Sequence, residues 1–370
     1  MKKKKICFFN RSSIHYRKNI WMLMDKELPC DFYFGDNRPG NIAPLDNSLL
    51  KNFKGYFHNI TFGPLYWQKG VMELLKVGYT DIITSTDPYC ISSWVLMWSA
   101  KRKGINVYLW GHGAYGNETG LKRWLRIRCN KLAKGVFLYG NYAKNIMINW
   151  GFQENKLHLI YNSLDYDLQF ELRKSLSPSD FYQKHFGNEN PNIVFIGRLT
   201  KIKKLDQILQ AVKILKDRGR EFNVSFIGDG VQKEELITLT EQLGLAKQTW
   251  FFGACYDEKQ ISDFIYNADM CVSPGNVGLT AMHAMSFGLP VITHDNFCNQ
   301  MPEFEAIVDG VTGTFFKEDD VKSLAKSIES WFETHKDREK VRSACYKVID
   351  EKYNPHVQVK TFKNVIYKEA

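Results

Sequence analysis

The sequence predicts an α/β protein in which parallel strands alternate with helices. Apolar runs at 270–272 and 291–293 flank a helix-length segment at 279–287, and Gly288 follows it where a glycine commonly ends a helix. A second strand–turn–helix pattern spans 193–206. Short apolar runs separated by helical segments repeat this pattern near the N-terminus. Such alternation favours a parallel sheet that helices cover on both faces.

The N-terminal part of the chain contains several predicted strands and a first helix at 14–26. The strands are expected at 6–9, 32–34, 55–59, 81–85 and 106–110. The stretch 171–191 is polar, contains serine and proline and breaks the apolar periodicity, as interdomain linkers do. We therefore predict two domains, 1–172 and 191–353, joined by a linker at 173–190.

Composition limits the class of protein. The 370 residues, 44% hydrophobic and 24% charged, are typical of a globular protein with two ordinary domains. The eight cysteines have no metal-binding or redox spacing, which favours reduced thiols in the cytoplasm. The apolar run at 6–9 is too short for a secretory signal. The run at 82–100 is interrupted by Asp87 and Pro88, so no membrane span is predicted.

Basic residues are concentrated in the N-terminal half. Residues 1–174 contain 26 Lys and Arg against 13 Asp and Glu, whereas the remainder contains 24 against 27. The segment 120–134 has six basic residues and no acidic one, interleaved with Trp124 and Leu125. Such a helix indicates binding to an anionic membrane surface. The alternative is that its apolar side packs on the sheet and its charged side chains are simply solvated. No nucleic-acid motif is present, and no nucleic-acid partner is expected.

Two turns have the composition of an anion site. The segment 273–291 places Gly275 and Gly278 between a strand and the predicted helix, whose first amides lack partners and attract negative charge. After the strand at 193–196, Arg198 and Lys203 provide a planar fork and a point charge. Together they favour binding of a diphosphate over a simple packing loop.

These motifs resemble the retaining nucleotide-sugar glycosyltransferases of family 4. The matching segments are Gly197-Arg198-Leu199 with Lys203, Gly228-Asp229-Gly230, Phe252-Gly253, 268–274 and 288–292. Weaker similarity lies at 134–140 and 159–165. The resemblance covers nearly the whole chain and is specific between about Asn192 and Gly313.

The resemblance implies the GT-B fold, two Rossmann-like domains facing a central cleft, with a helix at 354–370 returning to the first domain. It implies transfer of a sugar from a nucleotide diphosphate sugar, of UDP or GDP type, to an acceptor hydroxyl with retention. Catalytic roles are implied for His112, Arg198 and Lys203. The implied donor-binding residues are Gly197, Gly228, Gly253, Gly275, Asn276, Gly278, Leu279, Thr280 and His283.

One departure from the family concerns two glutamates that hold the donor sugar and the ribose. Their positions are Gly275 and His283 here. The departure keeps two alternatives open: a sugar-nucleotide epimerase, with Glu303 and Glu305 as acidic candidates, or a non-catalytic sugar-nucleotide-binding subunit. For His283 itself, holding a ribose hydroxyl and simple packing are both open.

The first domain offers two further candidate positions. His112 lies between Gly111 and Gly113 after the strand at 106–110, where α/β sheets bind ligands, and the resemblance places such a histidine against the donor sugar. The loop after the first strand lacks the family's glycines and offers Arg11 and Ser12 as donors.

The expected partners are the nucleotide-sugar donor, a glycan or lipid-linked acceptor and an anionic membrane surface. Neither a metal nor a further cofactor is implied, because cationic side chains are expected to stabilise the leaving diphosphate. The expected context is assembly of a bacterial-type cell-surface polysaccharide or glycolipid, in the cytoplasm or on the inner face of the membrane.

Overall fold

A computed structural model describes residues 4–36 and 43–368 of the chain. The chain divides into two compact units. The first comprises Met1–Leu164 with Asn354–Ala370, and the second comprises Asp165–Tyr353. Among the described residues, no helix is both long enough and apolar enough to cross a membrane.

The first unit is built on an eight-stranded sheet of order β4-β3-β2-β1-β5-β6-β7-β8. Its strands are β1 (Ile6–Asn10), β2 (Cys30–Gly35), β3 (Phe53–Phe62), β4 (Leu65–Lys69), β5 (Asp81–Ser85), β6 (Asn106–Gly111), β7 (Gly135–Leu138) and β8 (Leu157–Leu159). Its helices are α1 (Lys18–Glu27), α2 (Ile91–Arg102), α3 (Gly120–Leu132), α4 (Asn141–Asn149) and the C-terminal helix (Pro355–Lys368). Neighbouring strands are parallel except β3 and β4, which pair antiparallel at the edge.

Alternation along the strands fills both faces of this sheet. In β1, Ile6 and Phe8 belong to one buried cluster, whereas Cys7 and Phe9 belong to the other. Successive side chains of a strand point to opposite faces, so one apolar run contributes to two cores. The sequence therefore predicts a sheet covered on both sides, and the structure has one.

The C-terminal helix packs into the first of these cores. Phe362 is fully buried, with its ring centroid 5.1 Å from that of Trp110 and 4.6 Å from that of Phe137. Gln358 accepts a hydrogen bond from Ser163 Oγ at 2.6 Å and donates one to the Tyr161 carbonyl at 3.0 Å. These contacts place the C-terminal helix in the first unit.

The second unit is built on a six-stranded parallel sheet of order β11-β10-β9-β12-β13-β14. Its strands are β9 (Asn192–Ile196), β10 (Asn223–Ile227), β11 (Thr249–Gly253), β12 (Met270–Val272), β13 (Val291–His294) and β14 (Gly313–Phe316). Its helices are α5 (Tyr166–Arg173), α6 (Phe181–Phe186), α7 (Asp206–Asp217), α8 (Lys233–Gln242), α9 (Glu258–Asn267), α10 (Leu279–Ser286), α11 (Val321–Thr334) and α12 (Arg338–Lys352). Two Rossmann-like α/β units are thus present, as the sequence predicts.

The structure differs from the prediction of a linker at 173–190. This stretch lies within the second unit and contains α6. Tyr182 is buried there, its hydroxyl donates to the Phe264 carbonyl at 3.1 Å, and the Phe181 ring packs on the Phe264 ring. The aromatic residues attach the segment to the unit, whereas its serine and proline content alone indicates a linker.

Candidate functional site

The second unit brings two predicted anion-binding segments together at one edge of its sheet. β9 and β12 are adjacent, but the chain continues from β9 to β10 and β11 on one side and from β12 to β13 and β14 on the other. Ligands of open α/β sheets bind beyond the carboxyl ends of strands at such a switch point. Arg198 and Lys203 follow β9, and the segment 273–278 follows β12.

Lys203 connects these two segments directly. Its Nζ donates to the Asn276 carbonyl at 2.6 Å and to Asn276 Oδ1 at 3.1 Å. Burial lowers the pKa of Lys203 to about 8, with Glu303 and Cys271 opposing the shift and Arg198 adding to it. The Lys203 ammonium group is therefore fixed by Asn276 and loses its proton only slightly above neutral pH.

Arg198 lies near Lys203 but is exposed. Within residues 4–36 and 43–368, its guanidinium has no ion-pair or side-chain hydrogen-bond partner. Its charge is a minor cause of the lowered pKa of Lys203, so the two cations are close enough to interact. A planar guanidinium fork beside an ammonium group is well suited to a ligand with several anionic oxygens.

Gly275 is required by close packing of the backbone. A Cβ atom at this position would lie 2.0 Å from the Ile202 carbonyl oxygen. The Gly275 amide also donates to the Lys203 carbonyl at 2.9 Å. The glycine predicted to admit an anion thus faces the turn that carries Lys203, and a glutamate at 275 would have no room.

The other predicted glycines are distributed over three strand ends. Gly197 follows β9 and Gly228 follows β10, and a Cβ atom on Gly228 would lie 1.8 Å from the Gly197 carbonyl oxygen. Gly253 ends β11, which β10 separates from β9. Gly197 and Gly228 therefore pack together beside Arg198, whereas Gly253 lies two strands from β9.

The start of α10 presents backbone amides at this edge. Gly278 precedes the helix with φ +52°, and Leu279 and Thr280 form its first turn. Thr280 Oγ1 donates to the Ile196 carbonyl at 3.3 Å, which ties the helix to the end of β9. First-turn amides have no partner within their helix, so they favour an anion in front of Gly278.

His283 faces a carboxylate that was not predicted from the sequence. Its Nε2 lies 3.0 Å from Glu258 Oε1, which also accepts from Gln169 Nε2 at 2.9 Å. Burial raises the pKa of Glu258, but the hydrogen bond and charge of His283 and the Gln169 contact outweigh it, so the pKa falls below its usual value. The available sequence signal was the acidic start of α9, directly after Asp257.

The two acidic residues of the epimerase alternative lie in a short 3-10 helix, Pro302–Ala306, that packs against α10. Glu303 is buried, and its charge acts on Lys203. Glu305 is half-buried. The second unit therefore has a carboxylate whose charge acts on half-buried Lys203, although positions 275 and 283 provide none.

The first unit has a cavity of about 370 Å³ at the carboxyl ends of β1, β5 and β6. β1 and β5 are adjacent, and the chain leaves them toward opposite edges of the sheet, so this is also a switch point. The residues that line the cavity are Phe8, Asn10, Arg11, Ile14, Arg17, Ser85, Thr86, Asp87, Pro88, Tyr89, Trp110, Gly111, His112, Tyr115, Arg126 and Tyr139. The predicted His112 and Arg11 line it, whereas Ser12 is buried outside the lining.

His112 is a neutral group in this cavity. Its ring stacks on Tyr115 with centroids 5.0 Å apart. Burial first, and then the charges of Arg17 and Arg126, lower its pKa to about 4. Its Nδ1 is buried without a hydrogen-bond partner among the residues described.

Two further cavity arginines were not predicted from the sequence. Arg17 donates to the Tyr139 hydroxyl, and its guanidinium lies 4.9 Å from the Trp110 ring centroid. Arg126 pairs with Glu118 at 2.9 Å and donates to the Gly113 carbonyl at 3.2 Å. No sequence pattern distinguishes Arg17 from other basic residues. Arg126 is one of six basic residues in a helix that was predicted to lie at the surface.

The chain is similar in sequence to proteins described as glycosyltransferases. Residues 178–348 match the family model described as Glycosyl transferases group 1. A Klebsiella pneumoniae protein, "Uncharacterized 41.2 kDa protein in cps region", is 26% identical over 61% of this chain and 59% of its own length. The capsular polysaccharide biosynthesis glycosyltransferase CapM of Staphylococcus aureus is 24% identical over 59% of this chain and 58% of its own length. The chain thus spans less than two thirds of these relatives.

Solved structures establish the fold. HepE of Anabaena, determined in complex with UDP, superposes with a TM-score of 0.73 at 15% identity, covering 98% of this chain and 100% of HepE. The chain has the GT-B fold. The match to the family model lies within the second unit, which contains Arg198, Lys203 and α10.

Proposed function

We propose that the protein is a glycosyltransferase that moves a sugar from a nucleotide diphosphate sugar to an acceptor hydroxyl with retention. The observation that carries this proposal is the pair Arg198 and Lys203 beside the start of α10, within the region that matches the family model. The relative CapM, named for capsular polysaccharide biosynthesis, supports a role in assembly of a cell-surface polysaccharide or glycolipid.

The proposed chemistry is stabilisation of a leaving diphosphate. Breaking the bond from the sugar to the diphosphate increases negative charge on the phosphate oxygens. Arg198, protonated Lys203 and the amides near Gly278 would meet this charge in a fixed arrangement, the kind of electrostatic effect that contributes most to many enzymes. These cations would do the work of a metal ion, so the proposal needs no metal or further cofactor.

Retention is proposed through reaction on a single face of the sugar. The leaving phosphate oxygen would accept the proton of the attacking hydroxyl, and the acceptor oxygen would bond to the anomeric carbon on the same side. This route needs no carboxylate nucleophile, unlike double displacement by retaining glycosidases. The resemblance to family 4 supports it, and the anomeric configuration of the product tests it.

The ribose is proposed to contact His283 and Glu258. A helix rises about 1.5 Å per residue, so His283 lies about one turn behind the amides that start α10. One donor or acceptor of this pair can bind a ribose hydroxyl while the imidazole and carboxylate stay 3.0 Å apart. Glu258 would thus supply a carboxylate that position 283 itself lacks.

Two alternatives remain distinguishable by experiment. Buried Glu303 beside Lys203 favours an epimerase as the second candidate, because epimerisation requires acid–base groups near the sugar. A non-catalytic binding subunit would bind the nucleotide sugar without consuming it. Acceptor-dependent release of nucleoside diphosphate occurs only with a transferase.

An anionic membrane surface is proposed as a further partner, with the protein acting in the cytoplasm on the inner face of the membrane. On α3, Leu121 is 70% exposed and Trp124 is 51% exposed, contrary to simple packing of this side on the sheet. Arg128 lies 5.6 Å from the Trp124 ring centroid, and Lys122 and Arg123 are exposed. Apolar and cationic side chains on one exposed surface are typical of interfacial helices.

Loss of either diphosphate cation should slow transfer strongly. We expect Arg198→Ala and Lys203→Ala each to lower kcat/KM by the equivalent of about 2–4 kcal/mol. Release of UDP or GDP from a panel of nucleotide sugars, with and without acceptor, measures this. Lys201→Ala is the matched control, because Lys201 is exposed and its Nζ lies 3.9 Å from Glu235. Wild-type turnover in both single variants would contradict the diphosphate assignment.

Nucleotide affinity should fall as the pH rises through about 8. Bound diphosphate favours protonated Lys203. The affinity is therefore greatest at pH values below the pKa that Lys203 has in the nucleotide-free protein, and it decreases by up to about tenfold per pH unit above that pKa. Calorimetry with UDP or GDP between pH 6.5 and 9.5 measures this. Lys203→Arg should flatten the profile, since a guanidinium stays charged. The same slope in wild type and Lys203→Ala would assign the titration to another group.

His283→Ala should raise the donor KM about tenfold with a smaller effect on kcat, because a ribose contact is equal in the ground and transition states. The variant should also lose discrimination between the nucleoside diphosphate and its 2′-deoxy analogue in calorimetry. Unchanged affinity and unchanged discrimination would leave His283 a packing role only.

Binding to anionic vesicles should depend on α3. Joint replacement of Lys122 and Arg123 by glutamine should weaken the free energy of vesicle binding by about 1 kcal/mol per residue. The binding that remains should also depend less on salt concentration. Leu121→Ser with Trp124→Ser should weaken it at all salt concentrations. The control is Lys322→Gln with Lys326→Gln, an equal charge change on exposed residues of α11. Equal binding by all variants would reject the surface.

A further inference from the structure

Arg17 is an unusual cation at the wall of the first-unit cavity. It is half-buried, and its Nε is excluded from solvent without a hydrogen-bond partner in the described part of the chain. Its guanidinium lies 4.9 Å from the Trp110 ring centroid and 5.3 Å from that of Tyr139, whose hydroxyl accepts from it. Burial of a charge is costly unless a partner of opposite charge is supplied.

No acidic side chain in the described part of the chain supplies that partner. Over residues 4–36 and 43–368, no carboxylate lies within ion-pair distance of Arg17 or Arg11. Arg126 is already neutralised by Glu118 at 2.9 Å. The lining carboxylate, Asp87, accepts from the Tyr66 hydroxyl at 2.9 Å and from the Tyr89 amide at 3.0 Å. Three arginines thus face two carboxylates, Glu118 and Asp87, and the cavity keeps one positive charge in excess.

The remaining groups are suited to a sugar. His112 is neutral, with a pKa of about 4, so it can donate one hydrogen bond without adding charge. Tyr115, Trp110 and Tyr139 provide aromatic faces, and the volume of about 370 Å³ falls in the range of small-molecule pockets. A sugar ring against these faces can direct one oxyanion toward Arg17 and Arg11.

We propose that this cavity binds an acceptor sugar that carries an oxyanion, either the carboxylate of a uronic acid or a phosphate ester. The proposal rests on the glycosyltransferase function above and names its substrate class. Arg17 is the primary anion contact, because it has no acidic partner among the described residues and is held in place by Tyr139. Arg11 is the second, with its guanidinium 4.3 Å from the Tyr66 ring centroid at the exposed side of the cavity.

The test is binding of three sugars to the full chain without nucleotide. The probes are methyl glucuronide, glucose 6-phosphate and neutral methyl glucoside, measured by ligand-observed NMR titration. At least one anionic sugar should bind the wild type at least tenfold more tightly than methyl glucoside, and its affinity should fall with salt. Which of the two binds distinguishes a carboxylate from a phosphate.

Variants assign that binding to the cavity. Arg17→Gln and Arg11→Gln should each weaken the anionic probe at least fivefold and leave methyl glucoside unchanged. Arg11→Gln keeps the test independent of folding, because Arg11 is exposed. Arg102→Gln is the matched control, since this arginine of the same unit lies on the Trp98 ring outside the cavity. The proposal is overturned if no anionic sugar binds, if the neutral sugar binds equally well, or if the control loses as much affinity.

The experiment also separates this proposal from the proposed function. It uses neither donor nor turnover, whereas transfer is measured by acceptor-dependent release of nucleoside diphosphate. Transfer to neutral acceptors with no preference for anionic ones would reject only the oxyanion. Anionic binding that depends on Arg17, in a protein that never releases nucleotide, would reject transfer and leave the cavity as a binding site for anionic sugars.

Discussion

The arrangement of the second unit depends on the packing of the Lys201–Lys203 turn against Gly275. The Ile202 carbonyl oxygen occupies the space of a side chain at 275, and the Gly275 amide donates to the Lys203 carbonyl. This contact brings Lys203 Nζ onto Asn276, where burial lowers its pKa to about 8. A glutamate at 275 would require the turn to move and Lys203 to leave Asn276. The absence of a glutamate at 275 and the fixed position of Lys203 thus both follow from the packing of Gly275 against the Lys201–Lys203 turn.

Carboxylates reach this site from other parts of the chain. Glu258, at the start of α9, lies 3.0 Å from His283, and Glu303 is buried near Lys203. Each is more than 15 residues from positions 275 and 283, where the family pattern has its two glutamates. Spacing along one segment therefore indicates a loss of acidic groups, whereas the fold places two carboxylates from neighbouring elements close to His283 and Lys203. The exchange is physically reasonable because an imidazole can bridge a carboxylate and a ligand hydroxyl.

The sequence predicted the fold well where apolar runs are bounded by glycine or polar turns. β1, β5, β9 and β12 all follow this rule. The antiparallel strand β4 was not predicted, because five residues after a tight turn carry little periodicity. The segment 173–190 contains α6, whose aromatic residues are recognisable as buried only once Phe264 is nearby. Local patterns specify elements, whereas contacts between distant elements decide which of them attach to a unit.

The same limit applies to the sites. Arg198 and Lys203 could be selected from the sequence as candidates because they follow a strand in one short segment. Arg17 could not, because its significance comes from Tyr139 and Trp110, which are far away in sequence. The structure thereby divides the basic excess of the first 174 residues into two groups. Lys122 and Arg123 are exposed and subject to screening by salt, whereas Arg17 lies in a cavity where screening is weaker. On the proposals made above, the basic excess of the first unit would serve two purposes, attraction to a membrane surface and recognition of one anionic group.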